Sequence, residues 1–183
     1  MRATSGLEGF GKIRLTLLKQ KPTQLVRLIG ELYRLSKENQ RFLEARLVGA
    51  PKQLPVYRQF VADCLWPDPL RKGAKVRIPE AKRAISQYQL ATGDAAGTAE
   101  LMLTFVEHET GFAADLGYGD EEFFRSLEAM LSRALDGLQR CTEQFRQSMR
   151  PRLMRLSQLA SNIGWGYGDF VNDVIAGAVK PDV

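Results

Sequence analysis

The chain has 183 residues, of which 44% are hydrophobic, enough to bury one core or two small helical halves sharing a core. Charged residues make up 26%, as in an ordinary soluble protein, and no apolar run approaches the roughly 20 residues that span a bilayer. The net charge of +5 is uneven: residues 1–90 hold 18 Lys/Arg against 7 Asp/Glu, and residues 91–183 hold 8 against 14.

The first eleven residues read as a flexible tail. The opening MRATSGLEGFGKIRLTLL interrupts any apolar signal region with charges and glycines, which points to a cytoplasmic protein. In PTQLVRLIGELYRLS, Leu25, Leu28, Ile29, Leu32 and Leu35 share one face of a helix that Pro22 opens. Arg27 and Glu31 can pair on its wet side. Ser36 is placed to cap a second helix, KENQRFLEARL, with Phe42, Leu43 and Leu47 expected inward. So short a link predicts an antiparallel pair. Gly49 and Pro51 end that helix.

A third helix is predicted from about Pro55 to Leu65, burying Tyr57, Phe60, Val61, Cys64 and Leu65. The prolines of WPDPLRKGAKVRI forbid helix there, and Pro79 reopens it, with Ala81, Ala84, Ile85 and Tyr88 inward and Gly93 closing. A fifth helix is expected from about Thr98 to Glu109, with Leu101, Met102, Phe105 and Val106 as its core face. In EEFFRSLEAMLSRALDGLQRCTEQFRQ an apolar stripe runs from residue 123 to 145, predicting the longest helix. Gly137 within it marks a close helix crossing. Ser148 and Pro151 begin a seventh helix through Ile163, and a short eighth covers Phe170 to about Ala178. No segment alternates with period two between hairpin turns. The fold class is therefore all-α, an irregular bundle of seven to eight helices built from antiparallel hairpins, in one domain over residues 12–183. A short α-solenoid is the alternative architecture.

Cys64 and Cys141 both fall on apolar helical stripes and read as buried free thiols. Two cysteines and one histidine are too few for a structural zinc site, and the sequence implies no metal and no cofactor. No Walker, dinucleotide, nucleophile-elbow or EF-hand motif is present. His108, between Glu107 and Glu109, invites a general-base reading with Glu109 or Asp115. Adjacent helical residues point about 100° apart, however, so a solvent-facing side chain near a helix end is the simpler account and no catalytic residue is assigned.

Two sets of residues are candidate binding groups. Arg71, Lys72, Lys75, Arg77, Lys82 and Arg83 form a basic run with Glu80 its only acid, the clustering that phosphate neutralisation requires. A solvated loop, or a dock for the acidic stretch 94–128, explains the run equally. Phe112, Tyr118, Trp165 and Tyr167 are aromatic residues on glycine-rich loops, where such groups serve recognition or lock loops to a core. The tetrapeptide Gly-Tyr-Gly-Asp occurs at 117–120 and 166–169. Asp120 and Asp169 are read as N-caps, since a carboxylate at a helix start repels an anion.

LVRLIGELYRLSKENQRFLEARL, AKRAISQYQLATGD, LMLTFVEHETGFAADLGYGDEEFFRSLEAML and IGWGYGDFVNDVI, in this order, resemble an uncharacterised all-helical bacterial family of unknown function. The resemblance covers most of residues 24–175 and implies no activity or site residue. The first helix pair also resembles helical tails beside SWIM-type zinc fingers, but the zinc ligands are missing here. The expected function is a non-enzymatic protein-interaction module with a protein partner and no membrane. The alternative is a nucleic-acid-binding accessory protein using residues 71–83.

Overall fold

The computed structural model describes residues 5–66, 75–117 and 119–179, which form nine helices and no strand. Contacts divide the chain into two units, Met1–Leu43 and Glu44–Val183.

The first unit holds α1 (Ser5–Leu17), α2 (Pro22–Leu35) and the start of α3 (Lys37–Val48). The tail expected over residues 1–11 thus enters helix at Ser5. Lys21 N–H donates to Gln24 Oε1 at 2.8 Å, closing the first turn of α2 beside Pro22. Ser36 is the sole residue between α2 and α3. Its Oγ accepts from Asn39 N–H at 3.1 Å, and Asn39 Nδ2 donates back to the Leu32 carbonyl at 2.8 Å. The expected cap is therefore present. The expected burial is not: α2 buries no residue, and in α3 the inward residue is Ala45 while Leu47 is 75% exposed.

The second unit is a bundle around one central helix. It comprises α4 (Ala50–Leu65), α5 (Ile78–Thr92), α6 (Ala95–Leu116), α7 (Glu121–Gln139), α8 (Glu143–Ala160) and α9 (Tyr167–Val179). α6 packs against α4, α5, α7 and α8, while α9 packs on α7 and α8. Residues 97–106 of α6 are buried without interruption, as a helix enclosed on every side requires. This central-helix arrangement is a bundle rather than a solenoid. α6 is longer than the expected Thr98–Glu109, running from its cap at Asp94 to Gly117, whose left-handed backbone ends it.

Early α6 meets late α7, and late α6 meets early α7. A β-carbon on Gly137 would stand 3.0 Å from that of Ala99, so the glycine does mark a close crossing. At the other end Tyr167, fully buried at the start of α9, packs on Phe124 with ring centroids 5.0 Å apart and hydrogen-bonds Thr110 at 2.6 Å. Gly168 lets that helix start approach α8, since a β-carbon there would lie 2.6 Å from the Ala160 carbonyl oxygen.

Two boundaries differ from expectation. α4 begins at Ala50, with Pro51 in its first turn and Pro55 inside it. The long helix ends at Gln139: Thr142 caps α8, its Oγ1 accepting from Phe145 N–H at 3.4 Å, and Pro151 lies within α8 rather than at its start. Leu138 before this turn is buried and Phe145 after it is half-buried.

Candidate functional site

α5, α6 and the start of α7 enclose a cleft of about 270 Å³, lined by Ile78, Lys82, Phe105, Glu109, Asp120, Glu122, Phe123, Ser126 and Leu127. The spacings follow from helix geometry. Ile78 and Lys82, Phe105 and Glu109, and Glu122 and Ser126 are each four apart, so each pair shares a face. Lys82 Nζ donates to Ser126 Oγ at 2.6 Å and lies 5.6 Å from the centre of the Phe105 ring. Asp120 caps α7 as expected, its Oδ1 accepting from Phe123 N–H at 2.8 Å.

Glu109 is the unusual member. It is 2% exposed, and its Oε1 has no hydrogen-bond partner. Burial pushes its pKa up to about 7, against the opposing effect of the Lys82 charge. Its neighbour His108 is half-buried, and burial holds its pKa below the usual value. His108 is mid-helix, not near a helix end, because α6 runs on to Leu116. Asp115 is exposed. Among the described residues no group of three or more His, Cys, Asp or Glu side chains could hold a metal ion.

The basic run does not form one surface. Arg71 and Lys72 lie outside the described residues. Arg77 donates to Glu80 Oε2 at 2.9 Å and sits 5.8 Å from the centre of the Phe60 ring. Lys82 is turned into the cleft. Lys75 and Arg83 are exposed. Arg77 and Lys82 are therefore engaged within the fold, which weakens a phosphate-binding stripe.

The aromatic set divides as well. Tyr118 lies outside the described residues. Phe112 is half-buried and packs edge-to-face on Trp66, 6.2 Å between centroids. Tyr167 is a core residue, not a recognition group, because its ring and hydroxyl are both satisfied internally. Trp165 alone projects outward, 69% exposed with φ +62°, a backbone region that bulky residues seldom adopt. Asp169 sits inside the first turn of α9 rather than at its cap. There its charge offsets the helix dipole without closing a capping hydrogen bond.

A second polar cluster lies between α4, α6 and α8. Arg152 donates to both Glu107 carboxylate oxygens, at 2.9 and 2.5 Å, and to Thr104 Oγ1 at 2.8 Å, and lies 3.5 Å from Glu100. Arg58 donates to the same Glu100 oxygen at 2.9 Å. A depression of about 650 Å³ lies beside Arg152 and Glu107, but these charges already match one another. Cys64 is buried as a free thiol, and Cys141 is half-buried in the turn before α8.

In the first unit, α2 presents Val26, Leu28, Ile29, Leu32, Tyr33 and Leu35 to solvent, from 37% exposure at Tyr33 to 78% at Leu35. These residues span about half the helix circumference, with Arg27, Glu31 and Arg34 opposite. The stripe is legible in the sequence; its exposure is not.

The fold and these sites define an all-α helical bundle with, among the described residues, no helix long and apolar enough to cross a membrane. Comparison with protein-family models, curated proteins and solved structures gives no match in any of the three.

Proposed function

We propose that the chain is a cytoplasmic, non-enzymatic protein-interaction module that docks an acidic amphipathic helix of a partner protein on the apolar face of α2. One observation carries this reading: the most amphipathic helix in the chain buries none of its residues. An exposed stripe of five large aliphatic side chains, Val26, Leu28, Ile29, Leu32 and Leu35, is a recognition surface for a partner. The partner's charge follows from the unit that bears the stripe. Residues 1–43 carry nine Lys/Arg against three Asp/Glu. A second copy would bring the same positive charge, which opposes self-pairing through this face, whereas acidic flanks on an apolar helix complement it. The relationship to the bacterial all-helical family belongs to the same proposal and adds no residue role.

A photo-cross-linking residue placed at Ile29, and separately at Arg27, tests it in lysate of the source organism. The two positions point about 200° apart on one helix. The expected result is a discrete adduct from position 29 only, lost on Leu32→Asp, whose linked peptide is an apolar helix with acidic flanks. Adducts to nucleic acid, lipid or a second copy of the chain would overturn the proposal, as would equal adducts from both positions or none.

A further inference from the structure

We propose that the cleft between α5, α6 and the start of α7 binds a small organic ammonium ion, a protonated primary amine with an apolar body whose N–H groups donate to Glu109. The site is independent of the α2 face.

The argument starts from what the lining lacks. Glu109 is 98% removed from solvent by its 2% exposure, yet its Oε1 has no donor. An acceptor left unpaired in the interior is destabilising, so the missing group is a donor. The resident cation does not supply it, for Lys82 Nζ is held by Ser126 and by the Phe105 ring. Asp120 Oδ1 is occupied as the cap of α7.

Charge then selects the donor. The lining has three carboxylates, Glu109, Asp120 and Glu122, against one ammonium, Lys82. With Glu109 protonated, Asp120 and Glu122 still outnumber Lys82, so a cation is favoured at the empty site and an anion is opposed by the acids at the α7 start. Ile78, Phe105, Phe123 and Leu127 provide an apolar wall for an alkyl or aryl body. The volume admits a small molecule rather than a peptide.

Binding carries a proton signature. Empty, Glu109 holds its proton up to about pH 7. A bound ammonium favours the carboxylate, so the glutamic acid proton leaves to solvent as the N–H donates to the oxygen. Lys82 from α5 and Asp120 and Glu122 from α7 are the other charges facing Glu109, and no charged residue of α4, α8 or α9 lines the cleft.

Isothermal titration with methyl-, butyl- and benzylammonium chloride tests this on the full chain, in buffers of differing ionisation enthalpy. Benzylammonium or butylammonium is expected to bind with release of up to about one proton near pH 6 and almost none above pH 8. Benzyl alcohol, of the same shape without charge, should bind at least about tenfold more weakly. Glu109→Gln should weaken the ammonium by about tenfold and abolish proton release. Glu122→Gln, at the exposed rim, should cost about two- to threefold with the fold unchanged. Amide shift changes in a spectrum of labelled protein should centre on Ser126 and Phe105. No binding by any of the three ammonium ions, equal binding of benzyl alcohol, undiminished binding to Glu109→Gln, or shifts centred elsewhere would each overturn the proposal.

Discussion

Glutamine at position 109 has the shape of a protonated glutamic acid and cannot ionise, so Glu109→Gln isolates one titration. In the folded chain Glu109 is raised from 4.5 to about 7 by burial, with Lys82 opposing. A raised pKa means that the folded state holds the proton more tightly than the unfolded state. The stability this contributes is complete below about pH 4.5 and is lost as pH rises through about 7. Across that window wild type loses about 1.4 kcal/mol per pH unit, or about 3 kcal/mol in all. The variant loses none of it. Its advantage over wild type should therefore be near zero at about pH 4.5 and approach 3 kcal/mol by about pH 8. His108, which burial pushes in the opposite direction, is present in both proteins and cancels in the difference. Urea unfolding followed by near-ultraviolet circular dichroism reports the second unit through buried Tyr57, Tyr88 and Tyr167. With a slope of about 2 kcal/mol per molar urea, the midpoint of the variant should exceed that of wild type by about 1.5 M at the alkaline end. A difference that is flat with pH would refute the reasoning, because it would mean that Glu109 ionises in the fold as easily as in water.

Other substitutions probe separate links. Arg152→Met should destabilise by about 3 kcal/mol in thermal unfolding, by leaving Glu107 without its cation while Glu100 keeps Arg58; adding Glu107→Gln should restore part of the loss. Tyr167→Phe removes the partner of the fully buried Thr110 hydroxyl and should cost about 1 kcal/mol in denaturant unfolding, with the ring packing on Phe124 retained. Asp120→Ala should cost about 1 kcal/mol through its lost cap, and Asp169→Ala only a few tenths, measured side by side at pH 7. Trp165→Gly relieves a left-handed backbone and should raise stability by up to about 1 kcal/mol; a fall would show that the exposed ring packs on the bundle.

What could be read from sequence is what the chain decides locally. Ser36 and Asp120 cap helices where their spacing placed them, because a cap needs only residues three positions apart. Of the expected stripe, Tyr57, Val61, Cys64 and Leu65 are buried as its period requires, and Phe60 is half-buried. The break at Thr142 was hidden for a physical reason: two helices that both pack on α6 can continue one apolar period through a turn. Only the Thr142–Glu143 pair, a cap followed by an acid, signals it. The second Gly-Tyr-Gly-Asp misled in its aspartate because α9 already starts at Tyr167, which puts Asp169 in the first turn.

The candidate sites were less legible because each is a mismatch between levels of structure. Periodicity shows that α2 has an apolar face, but what covers that face is decided by residues far away or by another molecule. Glu109 reads as an ordinary polar residue beside His108 until α6 is known to be enclosed; only then does its position, one turn after Phe105, become a buried acid without a donor. Local pattern and global fold agree along most of α4 to α9. They disagree at a stripe that should be covered and at an oxygen that should be paired. Folding alone gives no reason for either feature, since a polar α2 or an apolar residue at 109 would remove the conflict. Binding gives a reason for both, because a bound helix covers the first and a bound cation completes the second.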